Sequence, residues 1–356
     1  MAKFSDVLTI INGRNQKQVE CENGKYPIYG SGGIMGYAND YICEAETVII
    51  GRKGNINKPI FVETPFWNVD TAFGLCANRK KLNPKYLYYF CEKFDFEKLN
   101  TTVTIPSLTK ANLLSVEIPL PDLNQQERIS TYFDKVSDLI SLRKQQLAKL
   151  DELVKARFVE MFGECSSIRP QKLKEVTRRV KVGFVGTCEK YYTDNTGVPM
   201  LRTTNITSHG IDLKDLKYVT KTFHEKNLKS QVHKGDLLIA RHGSNGQANV
   251  YYGDEAQCLN AIIIEPDSNI TNPIFLVNLI NSRRVKRQIE KELVGSTQHV
   301  LNTTTLANVE VEIPAIKDQQ AFAAFVERVD QQKQTIQQSL EKLELMKKVL
   351  MQEYFG

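Results

Sequence analysis

Two arginines, Arg52 and Arg241, have the same local setting in this sequence. Each follows a short aliphatic run, and each is followed two residues later by a glycine. A guanidinium is a planar fork that can bind both acceptors on the edge of a guanine, or a phosphate. The same group can also hold a turn in place through an internal ion pair. The pattern therefore predicts either a nucleic-acid contact or a structural ion pair at both positions.

Polar side chains suited to bases or phosphates cluster near both arginines, and further cations lie between residues 169 and 202. Simple loop polarity is the alternative explanation for any one of them. The candidate DNA-binding residues are Tyr29, Ser31, Arg52, Lys53, Asn55, Lys58, Arg178, Arg179, Lys181, Arg202, Arg241, His242, Ser244, Asn245 and Gln247. Thr-rich segments at residues 101–109 and 295–305 are further candidate loops, because recognition residues often lie on loops. The net charge of +6 fits an anionic partner.

Patterns for catalysis, cofactors and metals are missing from the sequence. The stretch Gly30-Ser31-Gly32-Gly33 lacks the Gly-Lys-Ser/Thr ending of a phosphate-binding loop. The five histidines have no metal-ligand spacing, and none of the seven cysteines forms a Cys-x-x-Cys pair. We therefore expect a chain that is not an enzyme and binds no metal or cofactor. Unpaired thiols and the lack of a long apolar run predict a cytoplasmic protein without a membrane span.

The chain contains an internal repeat at an offset of 189 residues, the separation of Arg52 and Arg241. At this offset, Asn83-Pro84 falls on Asn272-Pro273. Further matches follow with small slips: Val-Glu-Ile-Pro at 116–119 and 311–314, Gln-Gln at 125–126 and 319–320, and Phe-Gly at 162–163 and 355–356. Such a period predicts one structural plan built twice.

Two long segments, residues 125–162 and 319–355, repeat apolar residues at alternating steps of four and three. This heptad pattern is typical of coiled-coil packing. A helix over residues 125–162 would be about 57 Å long at 1.5 Å per residue. Since neither helix can bury its apolar stripe alone, we expect them to pair. The predicted helix-pair residues are Ile129, Phe133, Val136, Leu147, Leu150, Phe322, Val326, Leu340 and Leu343, and the seam is interrupted by Arg143, Arg157, Lys333 and Lys347.

These patterns predict an α+β fold with two tandem pseudo-symmetric halves and two long antiparallel coiled-coil helices. The expected domains are residues 1–122, a helix at 123–163, residues 164–316 and a helix at 317–356. Each half should mix strands with one helix after Asn-Pro, at residues 85 to about 99 and 274 to about 293. Two similar but non-identical halves could read two different base sequences about one helical turn, roughly 34 Å, apart on DNA.

This order of features resembles the S subunit of Type I restriction–modification systems, over essentially the whole chain. The resemblance rests on Ile-Pro and Gln-Gln before each helix, Arg-x-Gly after a strand in each half, and Tyr29-Gly30-Ser31-Gly32-Gly33. It implies two target recognition domains, each followed by a conserved helix. It also implies double-stranded DNA as a partner and a complex with two modification subunits, which use S-adenosylmethionine to methylate adenine. Restriction subunits that translocate and cut DNA with ATP and Mg²⁺ would join, so no cofactor would belong to this chain.

Three alternatives remain open at this point. The chain could be a nuclease or methyltransferase with its own active site, although the missing cofactor motifs argue against this. It could be a coiled-coil adaptor that never reads DNA. It could also be the specificity chain of a related modification system that is not Type I.

Overall fold

The structure is a computed structural model that describes residues 1–99, 107–163, 168–207, 210–241, 246–294 and 301–356. The chain divides into two compact units. Unit 1 comprises Met1–Gln146 and Ile336–Gly356, and unit 2 comprises Leu147–Thr335. Each unit therefore contains part of both long helices. The division into four domains stays a prediction.

Unit 1 contains short strands, three short helices and parts of the two long ones. The strands are β1 (Ala2–Lys3), β2 (Leu8–Asn12), β3 (Tyr26–Gly30), β4 (Gly33–Ala38), β5 (Thr47–Gly51), β6 (Ile60–Val62), β7 (Trp67–Asn68), β8 (Ala72–Ala77) and β9 (Glu117–Ile118). The helices are α1 (Phe4–Val7), α2 (Pro84–Lys93), α3 (Lys110–Leu114) and the long α4 (Leu123–Phe162), with a 3-10 turn at Phe96–Leu99.

The core sheet of unit 1 has the antiparallel order β2-β8-β5-β6. All five residues of β5 are buried because the strand is covered on both faces. Val48 and Ile50 belong to the cluster that includes α2, whereas Ile49 packs with Phe66 on the other side. A second sheet, β4-β3-β7, has a parallel pairing between β3 and β7.

Unit 2 repeats this plan with additional elements. Its strands are β10 (Gln171–Lys172), β11 (Thr177–Val182), β12 (Tyr192–Thr193), β13 (Val198–Arg202), β14 (Ile206–Thr207), β15 (Gly210–Ile211), β16 (Lys217–Val219), β17 (Gln231–Val232), β18 (Leu237–Ala240), β19 (Ala248–Val250), β20 (Ala256–Leu259), β21 (Ala261–Pro266) and β22 (Glu310–Val311). Its helices are α5 (Lys221–Lys226), α6 (Pro273–Asn281), α7 (Arg283–Val294), α8 (Thr303–Ala307) and the long α9 (Ile316–Phe355). Shorter 3-10 turns lie at Leu173–Glu175, Glu189–Tyr191, Thr203–Asn205 and Leu228–Ser230.

The topology of unit 2 confirms the predicted repeat. Its core sheet, β11-β21-β18-β19, matches β2-β8-β5-β6 strand for strand. The parallel pair β13–β20 corresponds to β3–β7, and β10–β22 corresponds to β1–β9. The sheet that contains β13 and β20 is larger than its counterpart, because β12 and β17 join it at its two edges. The scaffold is therefore the same in both units, and unit 2 carries insertions on it.

The predicted helices after Asn-Pro begin where the sequence places them. Asn83 caps α2 by accepting hydrogen bonds from two backbone N–H groups, and Asn272 caps α6 in the same way. Their predicted lengths were wrong. The first helix ends at the extended residue Phe94, and the second is interrupted at the extended residue Ser282, after which α7 begins. Residues beyond each break form a separate helical segment.

Both long helices are confirmed, and they pair antiparallel in each unit. In unit 1, Phe133 of α4 stacks on Phe355 of α9 with ring centroids 5.9 Å apart. Further along α4, Lys144 pairs with Glu344 at 2.9 Å. In unit 2 the same trend continues, since Asp151 pairs with Lys333 at 2.6 Å and Phe158 contacts Phe322 at 5.4 Å. Contacts further toward the C-terminal end of α4 therefore involve residues nearer the N-terminal end of α9, as antiparallel pairing requires.

Most predicted seam residues are shielded by this packing. Ile129, Phe133, Val136, Phe322, Val326 and Leu340 are buried, and Leu147, Leu150 and Leu343 are half-buried. The cations that interrupt the seam have partners within their own unit. Lys347 pairs with Glu92 at 2.9 Å, and Arg157 pairs with Glu160 at 2.8 Å. The breaks in the heptad pattern are thus polar contacts of the helices.

A buried glutamine fastens the start of each long helix to its globular half. The Gln126 amide accepts a hydrogen bond from the Asn83 N–H at 2.8 Å, and donates to the carbonyl oxygens of Lys81 and Pro121. Gln319 accepts from the Asn272 N–H at 2.9 Å and donates to the carbonyls of Ile270 and Pro314. Both side chains are fully buried. One residue of each Gln-Gln pair, the second in unit 1 and the first in unit 2, is therefore a clamp that joins the long helix to its globular half.

Candidate nucleic-acid interface

Arg52 stands at the end of strand β5 with its side chain exposed. Its backbone N–H donates to the carbonyl of Thr71 at 2.8 Å, and its carbonyl accepts from the Leu108 N–H at 3.0 Å. Its guanidinium lies over the ring of Phe73, 5.7 Å from the centroid. Within the described ranges, no carboxylate lies in ion-pair distance of this guanidinium. The backbone is fixed, and the charge is left free for a ligand.

The glycine-rich turn between β3 and β4 lies directly beside this loop. A methyl group placed on Gly51 would come within 3.0 Å of the Cβ of Ser31 and 2.5 Å of the carbonyl oxygen of Asn55. Glycine at this position is thus needed for the two loops to touch. The fold thus brings three candidates, Ser31, Arg52 and Asn55, close together. Ser31 comes from the turn between β3 and β4, whereas Arg52 and Asn55 follow β5.

Tyr29 has a different position from its neighbours in the turn. Its ring packs edge-on against the buried Phe66 with centroids 5.4 Å apart. Burial, with a smaller contribution from Tyr37, raises the pKa of the Tyr29 hydroxyl above its ordinary value. We conclude that Tyr29 supports the turn through packing.

Two other cations near this loop, Lys53 and Lys58, are exposed. Lys53 forms a backbone bridge with Ser107, which ties the loop to the segment before α3. Neither lysine has an ion-pair partner among the residues described here. Unit 1 therefore presents unpaired positive charge around Arg52.

Sequence reasoning missed one residue of this edge, Arg14. Its backbone N–H donates to the carbonyl of Asn68 at 2.8 Å, and its carbonyl accepts from the indole N–H of Trp67 at 3.0 Å. These contacts hold it beside β7, which pairs with β3 at Tyr29. The side chain is exposed. The signal that could have found it is its place after strand β2 and Gly13, because a cation just after a core strand is what singled out Arg52.

Arg241 of unit 2 has the same backbone frame as Arg52 but a different side-chain environment. The Leu301 N–H donates to the Arg241 carbonyl at 3.3 Å, as Leu108 does to Arg52. The Nε of Arg241 donates to the carbonyl of Leu301 at 3.3 Å, and the side chain is half-buried. Gln247 is half-buried just before β19. The candidates His242, Ser244 and Asn245 lie outside the described residues.

One acid, Glu265, lies beside two cations of the basic run of unit 2. Arg179 on β11 forms an ion pair with Glu265 on the neighbouring β21, and Arg178 approaches the same carboxylate at 3.9 Å. Lys181, further along β11, donates to the carbonyl of Leu228 at 3.4 Å. Burial, and then the charge of Arg179, lower the pKa of Lys181 to about 8. Arg179 is therefore engaged in a structural ion pair, whereas the side chain of Arg178 stays more than half exposed.

Arg202 at the end of β13 is also engaged. Its guanidinium donates to the carbonyl oxygen of Asp215 at 2.6 Å and to its carboxylate at 3.1 Å. The side chain of Asn205 accepts from the backbone N–H of Arg202 at 3.0 Å. Arg202 therefore holds a turn in place through contacts inside unit 2.

Neither a metal site nor a membrane helix emerges from the part of the chain that is described. In that part, no group of three or more His, Cys, Asp or Glu side chains could hold a metal ion. No described helix is long and apolar enough to cross a membrane.

Comparison with known proteins agrees with this architecture. The profile of the Type I restriction modification DNA specificity domain matches residues 1–152 and 180–345. The Type I restriction enzyme MjaVIII specificity subunit of Methanocaldococcus jannaschii is 23% identical over 332 residues, covering 86% of this chain and 75% of that protein. The Type I restriction–modification S subunit from M. genitalium superposes with a TM-score of 0.68 at 14% identity, covering 100% of this chain and 95% of that one.

A second solved structure, described in terms of complex assembly and conformational transition of the type I R-M system, contains a chain with a TM-score of 0.57 and 15% identity. It covers 99% of this chain and 96% of that chain. At such identities the solved structures establish the fold. The profile match spans most of the sequence, so the chain belongs to the family of Type I restriction–modification DNA specificity subunits.

Proposed function

We propose that this chain supplies DNA sequence specificity to a Type I restriction–modification complex and has no catalytic site of its own. Each unit carries one reading surface, and each surface reads one half of a bipartite, asymmetric DNA site. The observation that carries this proposal is the repeated frame at Arg52 and Arg241. In both units an arginine follows a core strand and is held by a backbone hydrogen bond from a leucine, Leu108 or Leu301, while the side chains around it differ.

Different side chains on a similar backbone frame suit the reading of two different base sequences. Phosphate contacts position a protein on DNA, whereas contacts to base edges specify the sequence. Arg52, Lys53 and Asn55 offer both kinds of chemistry on the exposed loop of unit 1. The corresponding loop of unit 2 begins at Arg241 and has a different composition, which supports an asymmetric site.

The partners we infer are double-stranded DNA, two modification subunits and restriction subunits. S-adenosylmethionine would be bound by the modification subunits, and ATP with Mg²⁺ by the restriction subunits. The long helices support docking of modification subunits, because large apolar side chains remain exposed on them. These are Leu123, Tyr132, Leu139, Leu142, Leu345, Met346 and Val349 in unit 1, and Leu153 and Val159 in unit 2. Exposed apolar surface of this kind marks protein contacts.

Methylation mapping tests the proposed function. The chain is expressed with its modification subunit in a host without adenine methylation, and the DNA is sequenced with a method that detects modified adenine. We expect one split, asymmetric motif with a fixed gap. An assembled complex that leaves no modified motif would refute DNA reading by this chain and support the coiled-coil adaptor.

Two simpler measurements separate the remaining alternatives. Calorimetry of the complex and of the chain alone with S-adenosylmethionine should give binding only when the modification subunit is present. Binding by the chain alone would indicate that it has its own methyltransferase site. A duplex DNA shift by the complex should weaken as salt rises, since phosphate contacts release counterions.

A further inference from the structure

The hairpin of β3 and β4 in unit 1 exposes two consecutive large apolar residues. Ile34 is 55% exposed and Met35 is 61% exposed. Successive residues of a regular strand face opposite sides, so one of the two would ordinarily be turned inward. Leaving both in water is unfavourable unless a partner covers them. Two questions follow: which backbone feature keeps both side chains exposed, and which partner covers them.

The structural reason is a bulge in the hairpin. The pairing steps from Ile28–Gly36 to Tyr29–Ile34, so Met35 is an extra residue without a partner on β3. Bulges redirect side chains, often next to functional sites. A methyl group on Gly30 would come within 2.6 Å of the Met35 sulfur, so the Met35 side chain lies along Gly30 at the tip. The bulge thus keeps both apolar side chains on the outside of the hairpin.

Two glycines at the tip of this hairpin have free space beside them among the described residues. Methyl groups placed on Gly32 or Gly33 would meet no atom within 4 Å. Gly33 has a φ of +119°, a conformation that favours glycine. The turn is therefore narrow and unobstructed by the residues that the structure describes around it.

Two exposed cations, Arg52 and Lys53, directly follow the residue against which the tip packs. Ser31 of the turn contacts Gly51, which places Arg52 and Lys53 beside it, both exposed and without carboxylate partners among the described residues. The exposed Asp70 lies between Val69, whose N–H donates to the Tyr29 carbonyl, and Thr71, whose carbonyl accepts from Arg52, and Glu20 lies against Gly36, further from the turn. An apolar tip with a cationic border is complementary to DNA, which presents thymine methyl groups between phosphates.

We propose that the β3–β4 hairpin enters the major groove of the half-site that unit 1 reads, called the first half-site below. Ile34 and Met35 then contact the C5-methyl groups of thymines there. This inference rests on the proposed function. A two-stranded ribbon fits the major groove, and apolar contact with the thymine methyl is one of the ways in which proteins tell bases apart. Ile34 and Met35 are then specificity-determining residues of unit 1.

Uracil substitution tests the contact directly. Once the motif is mapped, duplexes are made in which each thymine of the first half-site is replaced in turn by deoxyuridine, which lacks only the methyl group. The assembled complex should bind at least one of these duplexes about fourfold more weakly, the change that corresponds to losing one buried methyl. The double variant I34A/M35A should bind the thymine and uracil duplexes equally.

The controls lie in the other unit and the other half-site. Leu213→Ala removes an apolar side chain of unit 2 that is 51% exposed, and this variant should keep the uracil sensitivity of the wild type. I34A/M35A should likewise leave the effect of uracil in the second half-site unchanged. Hydrogen exchange of β3 and β4 in the variant shows whether the hairpin stays folded.

The outcomes separate this inference from the proposed function. If the wild type methylates a split motif but is insensitive to uracil throughout the first half-site, the methyl contact is wrong and the proposed function stands. If I34A/M35A lowers the affinity for both duplexes by the same factor, so that the uracil duplex is still bound more weakly than the thymine duplex, the pair makes a different contact, such as one with a partner subunit. If no motif is methylated at all, the proposed function itself fails.

Discussion

The two units share one scaffold, but their candidate DNA-binding cations differ in environment. In unit 1, Arg52 and Lys53 are exposed and have no carboxylate partner among the described residues. In unit 2, Arg179 and Arg202 form ion pairs with Glu265 and Asp215. The repeat therefore preserves strand order and backbone hydrogen bonds, whereas the charge available to a ligand differs between the copies.

This contrast shows that matched motifs do not guarantee matched roles. The Arg-x-Gly pattern leaves one guanidinium free at Arg52 and holds the other against the Leu301 carbonyl at Arg241. Free surface cations contribute to phosphate binding, while paired ones have their charge largely satisfied. We therefore expect unit 1 to contribute more of the salt-dependent affinity, and unit 2 to rely more on uncharged contacts.

The largest predicted effect concerns the shared clamp. Gln126→Ala and Gln319→Ala each remove a buried amide that makes three hydrogen bonds. Each should lower the free energy of unfolding of its own unit by about 2–4 kcal/mol, because buried polar groups lose their partners. Hydrogen exchange of the assembled complex in urea, read separately for peptides of each unit, measures this.

The adjacent exposed glutamines provide matched controls for the clamp. Gln125→Ala and Gln320→Ala should change unfolding by less than about 0.5 kcal/mol. Equal losses for Gln126→Ala and Gln319→Ala would support a common scaffold. A large loss of stability in one unit with none in the other would contradict the claim that the two units share one scaffold.

The second prediction concerns the arginines of the repeated loop. Arg52→Gln should weaken DNA binding by about 1–3 kcal/mol. It should also reduce the slope of log binding constant against log salt concentration (the salt slope) by about 1, the contribution of one phosphate contact. Arg241→Gln should have a smaller effect on binding, since its side chain is already engaged with the backbone of Leu301. Fluorescence anisotropy over a salt series measures both quantities.

The control for these variants is Arg79→Gln. Arg79 is exposed but paired with Glu46 at 2.8 Å, away from the Arg52 loop. It should leave the salt slope unchanged. If Arg241→Gln weakened binding as much as Arg52→Gln, the charge difference between the units would have no functional meaning.

The third prediction concerns a variant in which a paired cation of unit 2 loses its carboxylate partner. Glu265→Gln removes the acid that pairs with Arg179 and Arg178. Affinity for non-specific DNA should then rise by about 1 kcal/mol or less, with a steeper salt slope. Glu225→Gln, an exposed acid with no ion pair among the described residues, should change the salt slope less. A Glu265→Gln variant indistinguishable from it would show that the basic run lies away from DNA.

The last predicted effect is the pH dependence of unit 2, which solvent around the half-buried Lys181 reduces. Burial and Arg179 lower the pKa of Lys181 to about 8 from its ordinary 10.5, so the folded unit releases this proton earlier than the unfolded chain. The free energy of unfolding should therefore rise between about pH 8 and 10.5 through this group. Lys181→Met should be more stable than the wild type at pH 7, and the difference should shrink toward pH 10.5.

Urea unfolding at several pH values checks this prediction. Lys229→Met, which removes a nearby exposed lysine, serves as the control and should leave the pH profile unchanged. An advantage of Lys181→Met that stayed constant across pH would indicate improved packing instead of the removal of a buried charge.

The sequence predicted those features that depend on local or periodic patterns. The offset between Arg52 and Arg241 predicted the repeated sheets, and the heptads predicted the paired helices. Asn83-Pro84 and Asn272-Pro273 marked the starts of α2 and α6, because an Asn cap followed by Pro is a local signal. The ends of these helices were wrong, since the breaks at Phe94 and Ser282 carry no glycine or proline.

The sequence could not predict features that depend on contacts between distant residues. The pairing of Arg179 with Glu265 requires β11 and β21 to be neighbours in register. The role of Gln126 requires the backbone of Lys81 and Asn83 to reach the start of α4. The exposure of Met35 depends on a bulge set by pairing with β3. In each case the residue is visible in the sequence, but its partner is not.

The central claim, that each unit reads its own half of a split DNA site, is tested most directly by exchange of one half. Residues 1–122 are replaced by the equivalent half of another specificity subunit, the hybrid is expressed with the modification subunit, and methylated adenines are mapped. We expect a new motif in which the sequence of one half is changed while the other half is retained. A motif changed in both halves, or unchanged in both, would contradict it.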